Sequence, residues 1–471
     1  MLFNSFSFWL FYFFVFTIYW KLSHKNQNSL LLISSYFFYG MWDWHFLFLI
    51  FSSTSIDYFL GKEIYQAKSI QKKKIFLFSS IFANLSILGF FKYYNFFSLE
   101  LNNLFVSIGI SSMLPTLDII LPVGISFYTF QTMSYSIDIF RNEIKPIKSF
   151  KDYALYVSFF PQLVAGPIER SSRLIPQVVN KRHWKENYIL DGLYLIFYGL
   201  FLKIVIADNM APIVNHIFAQ ETSTLSGLEI LLGVYAFAFQ IYGDFAGYSA
   251  IARGIAKWLG FDLMVNFRMP YFATSPSDFW RRWHISLSSW FRDYVYIPLG
   301  GNRKGEARSH LNLIVTMFLS GLWHGAAWTY ILWGLIHGLF LSIHKLFNQV
   351  FTFKLSPDSK IFKLVSIFIM FQIVSLGWLF FRADNISQAL TFLSYVPTNL
   401  TITPFAIGII SIFSFYILPL VSYEWWVEKK EDLMILPKSG LVIQTIFYTY
   451  VLLLLFFFPS PTAHEFIYFQ F

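Results

Sequence analysis

Cysteine is absent from the 471 residues. That excludes disulfides, thiolate-ligated metal and a thiol nucleophile, and with the last any acyl-cysteine intermediate. Charge is scarce: Asp, Glu, Lys and Arg make up 13% of the chain, against roughly a quarter in soluble domains. With 56% hydrophobic residues a water-soluble protein is excluded, and an all-α polytopic membrane protein is expected. Acidic residues are the scarcer sign, 26 against 35 Lys and Arg, for a net charge of +9. No basic, aromatic-interleaved soluble segment accompanies that excess, so nucleic-acid binding is excluded. The positives are expected in loops, where they orient the chain in the lipid bilayer. Phenylalanine is abundant, 59 residues, as suits a lipid-facing surface. The first apolar run has no charged region before it and no small-residue cleavage site after it, so it reads as an uncleaved span. Lys21 and Lys25 follow it, which predicts an external N-terminus and an internal first loop.

Apolar runs of spanning length cover 3–20, 75–98, 191–207, 228–243, 311–341, 362–381, 403–421 and 440–458. The stretch 29–60 is interrupted by "GMWDWH" and predicts two shorter helices. Runs 120–139 and 153–168 contain Pro122, Pro161 and Pro167, as kinked or re-entrant helices lining a cavity do. The basic loops 61–74 and 427–432 are assigned to the cytoplasm. No repeat and no linker appears, so a single integral domain over 1–471 is expected, with about eleven spans.

One segment departs from ordinary membrane sequence. Residues 261–305 crowd Asp262, Arg268, Asp278, Arg281, Arg282, His284, Arg292 and Asp293 among Trp, Tyr and Phe. "SPSDFW" carries a helix-start signature, and Trp280, His284 and Leu287 would share a face of one continuous helix. Two readings fit: an amphipathic helix in the interface with arginines on headgroups, or a helix inserted to line an aqueous cavity. Only the second needs a histidine on the aromatic face.

Ionisable groups in apolar runs are functional candidates, and "SGLWHGAAWTYILWGLIHG" (320–338) holds His324 and His337. On one straight helix they would stand roughly 220° and about 20 Å apart and could not share a site. His337 then reads as packed against a neighbouring helix. His324 lies among Gly321, Gly325, Ala326 and Ala327, where small residues admit a close approach. It needs a partner from elsewhere, and His284 is the candidate. No HxxxH or HxxE pair surrounds these histidines, so no metal is expected. Lys203, Asp208 and Asn209 near a span end read as snorkelling groups, and Asp244, between Gly243 and Gly247, as a cavity residue.

These blocks together resemble the membrane-bound O-acyltransferase family, in its bacterial branch of alginate and peptidoglycan O-acetylation membrane proteins. The ordered set is "FFYGMWDWHFL" (37–47), "LGFFKYYNFF" (88–97), "LPVGISFYTFQTMSYSIDIFR" (121–141), "FFPQLVAGPIER" (159–170), "KIVIADN" (203–209), "QIYGDFAGYSAIARGIAKWLGF" (240–261), "FWRRWHISLSSWFRDYVYIPLGGNRKG" (279–305), "GLWHGAAWTYILWGLIHG" (321–338), "LGWLFFRA" (376–383) and "FIYFQF" (466–471). The motif-bearing core is 121–340. One departure is that Gly243 and Ala246 stand where the family has a bulkier residue and Ser.

The resemblance implies a helical funnel with re-entrant or interfacial helices and a central tunnel. It places the signature histidine on His324 and the second polar position on His284. Arg281, Arg282, Trp283, Asp244 and Trp323 are the tunnel and donor-binding candidates, the arginines for the phosphates of coenzyme A or else for lipid headgroups. The implied activity is O-acylation of a cell-envelope polysaccharide, alginate-like or peptidoglycan. The donor is acyl-coenzyme A, with acetyl expected, and no cofactor is expected besides. A neutral imidazole near pH 7 suits removal of the acceptor's proton. The setting is the bacterial cytoplasmic (inner) membrane, with a separate extracytoplasmic O-acetyltransferase as partner. The alternatives are D-alanyl transfer to teichoic acid from an acyl carrier protein, and a polysaccharide transporter with broken helices around a polar cavity.

Overall fold

The computed structural model describes residues 2–110, 114–164, 166–350, 359–460 and 466–467. Among them every regular element is helical. Among the described residues six helices are long and apolar enough to cross a membrane, and Phe6–Tyr19 and Leu441–Phe457 are shorter apolar helices. The chain is an all-α polytopic membrane protein. It folds as two compact units, Met1–Gly192 with Ala252–Met264 and Leu193–Ile251 with Val265–Phe471.

The first unit begins with α1 (Phe6–Tyr19), α2 (His24–Gly40) and α3 (His45–Gln66). The predicted break at "GMWDWH" thus falls where Gly, two Trp and Asp interrupt the run. α4 (Ile70–Leu88) passes through a π turn into α5 (Tyr94–Ser107), making one apolar rod of 38 residues. α6 (Ile125–Phe140) starts at Gly124, whose φ is +75° and where a Cβ would fall 2.5 Å from the Leu163 carbonyl oxygen. Glycine alone meets both demands. The apolar run at 153–168 is not one helix. α7 (Phe150–Ser158) stops at Phe159, α8 (Phe160–Leu163) starts with Pro161 in its first turn, and α9 (Ser171–Val179) follows the "GPIER" loop. That loop is tied down by Glu169, fully buried, whose Oε1 accepts the Met264 N–H at 2.5 Å. Arg173 sits 3.9 Å from the same carboxylate and 2.9 Å from Asp262. Burial pushes the Glu169 carboxyl up to about 7.

α10 (Asn187–Leu200) leads into the second unit and continues through a π segment, Phe201–Ala207, to α11 (Asp208–Ala219). α12 (Gly227–Trp258) opens with a reciprocal cap: Ser226 N–H donates to Glu229 Oε2 at 2.7 Å, and Glu229 N–H to Ser226 Oγ at 3.2 Å. Gly243 and Gly247 are explained by how closely α12 crosses the chain behind it. A Cβ on either would lie 2.7 Å from a carbonyl oxygen, of Leu202 and Gly199 respectively. The bulkier residue of the family pattern would not fit at 243.

That crossing also corrects the snorkelling expectation. Lys203 is 1% exposed, and its Nζ lies 2.8 Å from both Asp208 Oδ1 and Asp244 Oδ1. The π segment turns Lys203 inward, where two carboxylates repay its desolvation. Asp244 also accepts the Ile467 N–H through Oδ2 at 2.6 Å. Of "FIYFQF", residues 468–471 lie outside the described residues.

The remaining helices are α13 (Pro276–Arg282), α14 (Ile285–Phe291), α15 (Glu306–His324), α16 (Trp328–Val350), α17 (Lys360–Arg382), α18 (Ile386–Tyr395), α19 (Pro404–Ile412), α20 (Leu418–Lys430) and α21 (Leu441–Phe457). Two sequence expectations fail here. The segment 276–291 is two helices broken at Trp283 and His284, so the shared face of Trp280, His284 and Leu287 does not exist. The span 311–341 is not one helix either: Gly325, Ala326 and Ala327 break it, and α15 packs back along α16. The hairpin closes through glycine, since a Cβ on Gly321 would lie 2.3 Å from Tyr330 O and one on Gly334 2.3 Å from Met317 O. Large apolar side chains of α17 and α21, among them Phe368, Leu441 and Phe456, remain exposed, as on a lipid-facing surface.

Candidate active site

His324 ends α15 and is 3% exposed. Its ring meets Trp333 at 4.9 Å and Phe381 at 5.4 Å, both edge to face. His337 lies one turn after the same tryptophan on α16, with the rings 5.0 Å apart, so the hairpin brings His324 to a wall that His337 already shares. The reasoning that set the two histidines on opposite sides of one helix is therefore overturned. They stand on antiparallel helices and share Trp333 as a common wall. His337 is 1% exposed, stacks on Phe279 at 6.0 Å, and has Nε2 facing Gly377. Among the described residues that Nε2 has no hydrogen-bond partner.

His284 occupies the break between α13 and α14, in the left-handed region at φ 42°, ψ 54°. A histidine there carries backbone strain on the order of 1–3 kcal/mol, held by surrounding contacts. Ile285 N–H donates to Asn266 O at 2.9 Å, and Arg268 N–H to Arg282 O at 3.0 Å. These two rungs pin the bend against the segment 266–268. The imidazole is fully buried, with Phe245 at 4.6 Å and Trp323 at 6.0 Å. Burial pushes it down to about 3, so it is neutral. His284 and His324 are thus gathered about Trp323, which is adjacent to His324 in the chain.

The other candidates separate. Arg282 is clamped by two carboxylates, its Nε 2.9 Å from Asp278 and its Nη1 2.8 Å from Glu428. These partners hold its guanidinium above its usual value. Arg281 is exposed and, among the described residues, makes no ion pair. It borders two cavities. One, of about 490 Å³, runs between α13–α14 and α15–α16, past Trp280, Ile285, Ser288 and Ser320. The other, of about 380 Å³, is polar and includes Arg268, Arg282 and Glu428. Trp283, 1% exposed, is core: Phe267 lies at 5.0 Å and Trp378 at 4.9 Å. Trp283, Trp323 and Asp244 line neither cavity. Asp244 belongs to the buried ion-pair network. Among the described residues no three of His, Cys, Asp and Glu are grouped to hold a metal.

Sequence reasoning missed Asn266. It is 1% exposed, and its Oδ1 lies 3.1 Å from His284 Nδ1 and 2.9 Å from Ser286 Oγ. A neutral amide in "LMVNFRMP" gives no periodic signal, and only the fold places it behind the histidine.

Such an arrangement can serve acyl transfer: a neutral His284 and a buried His324 stand about Trp323, neither of them lining either cavity, while Ser288, Ser289 and Arg281 line the larger one. Residues 129–381 match the membrane-bound O-acyltransferase family. A probable alginate O-acetylase of Pseudomonas putida is 39% identical over 374 residues, covering 79% of this chain and 75% of the relative. A peptidoglycan O-acetyltransferase of Helicobacter pylori is 39% identical over 389 residues, covering 76% and 72%. A teichoic acid D-alanyltransferase of Streptococcus thermophilus is 31% identical over 281 residues, covering 55% and 68%. With more than half its length in that match, and relatives of such identity along three quarters of it, the chain belongs to the membrane-bound O-acyltransferase family and is an O-acyltransferase.

Proposed function

We propose that the enzyme moves an acetyl group from cytoplasmic acetyl-coenzyme A for O-acetylation of a cell-envelope polysaccharide, in the bacterial cytoplasmic membrane. The alginate and peptidoglycan relatives support the class of acceptor. The observation that carries the chemistry is the pair of buried histidines about Trp323. An acceptor oxygen attacks the thioester carbonyl, the C–O bond forms and the C–S bond breaks. The hydroxyl proton passes to an imidazole and on to the departing thiolate. Neutral imidazole is the form that accepts it. Arg281, unclamped at the rim of both cavities, is the better candidate for the donor's phosphates, because Arg282 is already held by Asp278 and Glu428. A separate extracytoplasmic transferase would complete delivery to polymer.

The alternative donor is a D-alanylated carrier protein, a reading favoured only by the teichoic acid relative, which aligns over a shorter stretch. Membership of an acyltransferase family displaces the transporter reading. The test is transfer of labelled acetyl from acetyl-coenzyme A by purified protein. His324→Ala is expected to cut the rate by at least about 10²-fold while the protein still inserts. Wild-type transfer by that variant would remove the assignment.

A further inference from the structure

The tautomer of His284 can be read from its neighbours. Asn266 could face it with either end of its amide, and Ser286 settles which. The Ser286 backbone N–H, 3.2 Å away, can only donate, so the atom it meets is the carbonyl oxygen Oδ1. Ser286 Oγ donates to the same oxygen at 2.9 Å. The other end is consistent, since Nδ2 donates to Ser249 Oγ at 3.2 Å. Oδ1 can only accept, so the imidazole nitrogen 3.1 Å from it, Nδ1, must carry hydrogen. Ser286 Oγ, having given its proton to Oδ1, presents only lone pairs to Nδ1 at 3.5 Å. The backbone rung from Ile285 N–H to Asn266 O, at 2.9 Å, stops either residue from turning away.

We propose that Asn266 is a positioning residue that fixes His284 as the Nδ1–H tautomer, so that Nε2 is a hydrogen-bond acceptor. A neutral ring has one N–H, and here it is spent on Asn266. His284 therefore cannot polarise an acyl carbonyl through Nε2, because a carbonyl needs a donor. It can take the proton of an attacking hydroxyl: the O–H bond breaks, its electron pair becomes the new C–O bond, and an N–H bond forms at Nε2. The thiolate leaves with the C–S pair and then receives that proton. This rests on the reading that His284 takes part in transfer.

The experiment is ¹⁵N NMR of the full-length protein in nanodiscs with labelled histidine. The chain has 10 histidines, and the pair of ring resonances lost in His284→Asn identifies the residue. A protonated Nδ1 with an unprotonated Nε2 is expected; the opposite tautomer, or a charged ring, overturns the proposal. Function gives a second readout. Asn266→Asp keeps an accepting oxygen and should retain the tautomer and at least about a tenth of kcat. Asn266→Leu should lose about 10²-fold in kcat with KM changed less than about threefold. Wild-type kcat in a stable Asn266→Leu protein would also overturn it. If His284→Ala transfers normally while the NMR shows Nδ1–H, the catalytic reading fails and the tautomer assignment stands.

Discussion

Gly334→Ala is the sharpest probe of how His324 is held. On propensity alone alanine in the middle of α16 should stabilise the helix by about 1 kcal/mol. The structure reverses the sign. The new methyl would lie 2.3 Å from Met317 O, whereas ordinary contact begins at 3.4 Å. Its obstacle is α15 backbone, which cannot rotate aside. Helix α15 must move off by about an ångström, or both helices must bend, at an overpacking cost of about 1–3 kcal/mol. His324 ends that same helix, so it moves too. A displacement of that size at a reacting group costs about 10²-fold in rate, or about 2.7 kcal/mol of barrier. Purified variant and wild type would be compared in acetyl transfer and in thermal unfolding. The control is Gly408→Ala, where a Cβ meets nothing within 4 Å; it should transfer like wild type. A Gly334→Ala protein within threefold of the wild-type rate and with unchanged unfolding would refute the argument that the glycine crossing sets the position of His324.

Lys203→Met should destabilise the protein by about 3–5 kcal/mol, because it leaves Asp208 and Asp244 buried without their shared cation; a melting temperature equal to wild type would contradict this. Glu169 gives a pH signature. Its folded-state value, about 7, lies above the ordinary 4.5, so the folded protein binds the proton more tightly than the unfolded chain. The stabilisation is full below about 4.5 and is lost as pH rises through 7. Thermal unfolding in detergent should show that loss between pH 5 and 8, and Glu169→Gln should flatten it; a flat wild-type profile would count against it. His337→Ala should lower transfer as well as stability, since it removes one side of the packing around Trp333 while His324 leans on the other. Undiminished transfer in that variant would show that the shared wall does not matter to His324.

Much of this was legible in the chain. His324 and His284 stand out because polar groups are rare in apolar sequence, and the fold gathers both about one tryptophan. The break at "GMWDWH" was visible because it is polar. The break at "GAA" was not, since Gly325, Ala326 and Ala327 are as apolar as the helices they separate, and hydropathy cannot tell a buried turn from a continuing span. The same blindness produced the error over His337. Lys203 was misread because its sequence neighbours place it near a span end, while its partner Asp244 is far along the chain. His284 at positive φ lies beyond pattern reading: "RRWHISLS" is good helix, and the bend is imposed by rungs to residues 266–268 that only the fold supplies.

The bond from Ile467 N–H to Asp244 has a consequence for how the protein is made. The two residues are 223 positions apart. At about 5–20 residues per second, the ribosome needs roughly 10–45 s to travel from one to the other. For that interval Asp244 sits in nascent chain with Lys203 and Asp208 already synthesised but the Ile467 N–H not yet translated. The carboxylate network can form early, but it closes only when the "FIYFQF" block emerges, so completion of the second unit is timed by translation. A ribosome stalled late in the message would leave the α15–α16 hairpin already made while Asp244 still lacks the Ile467 N–H.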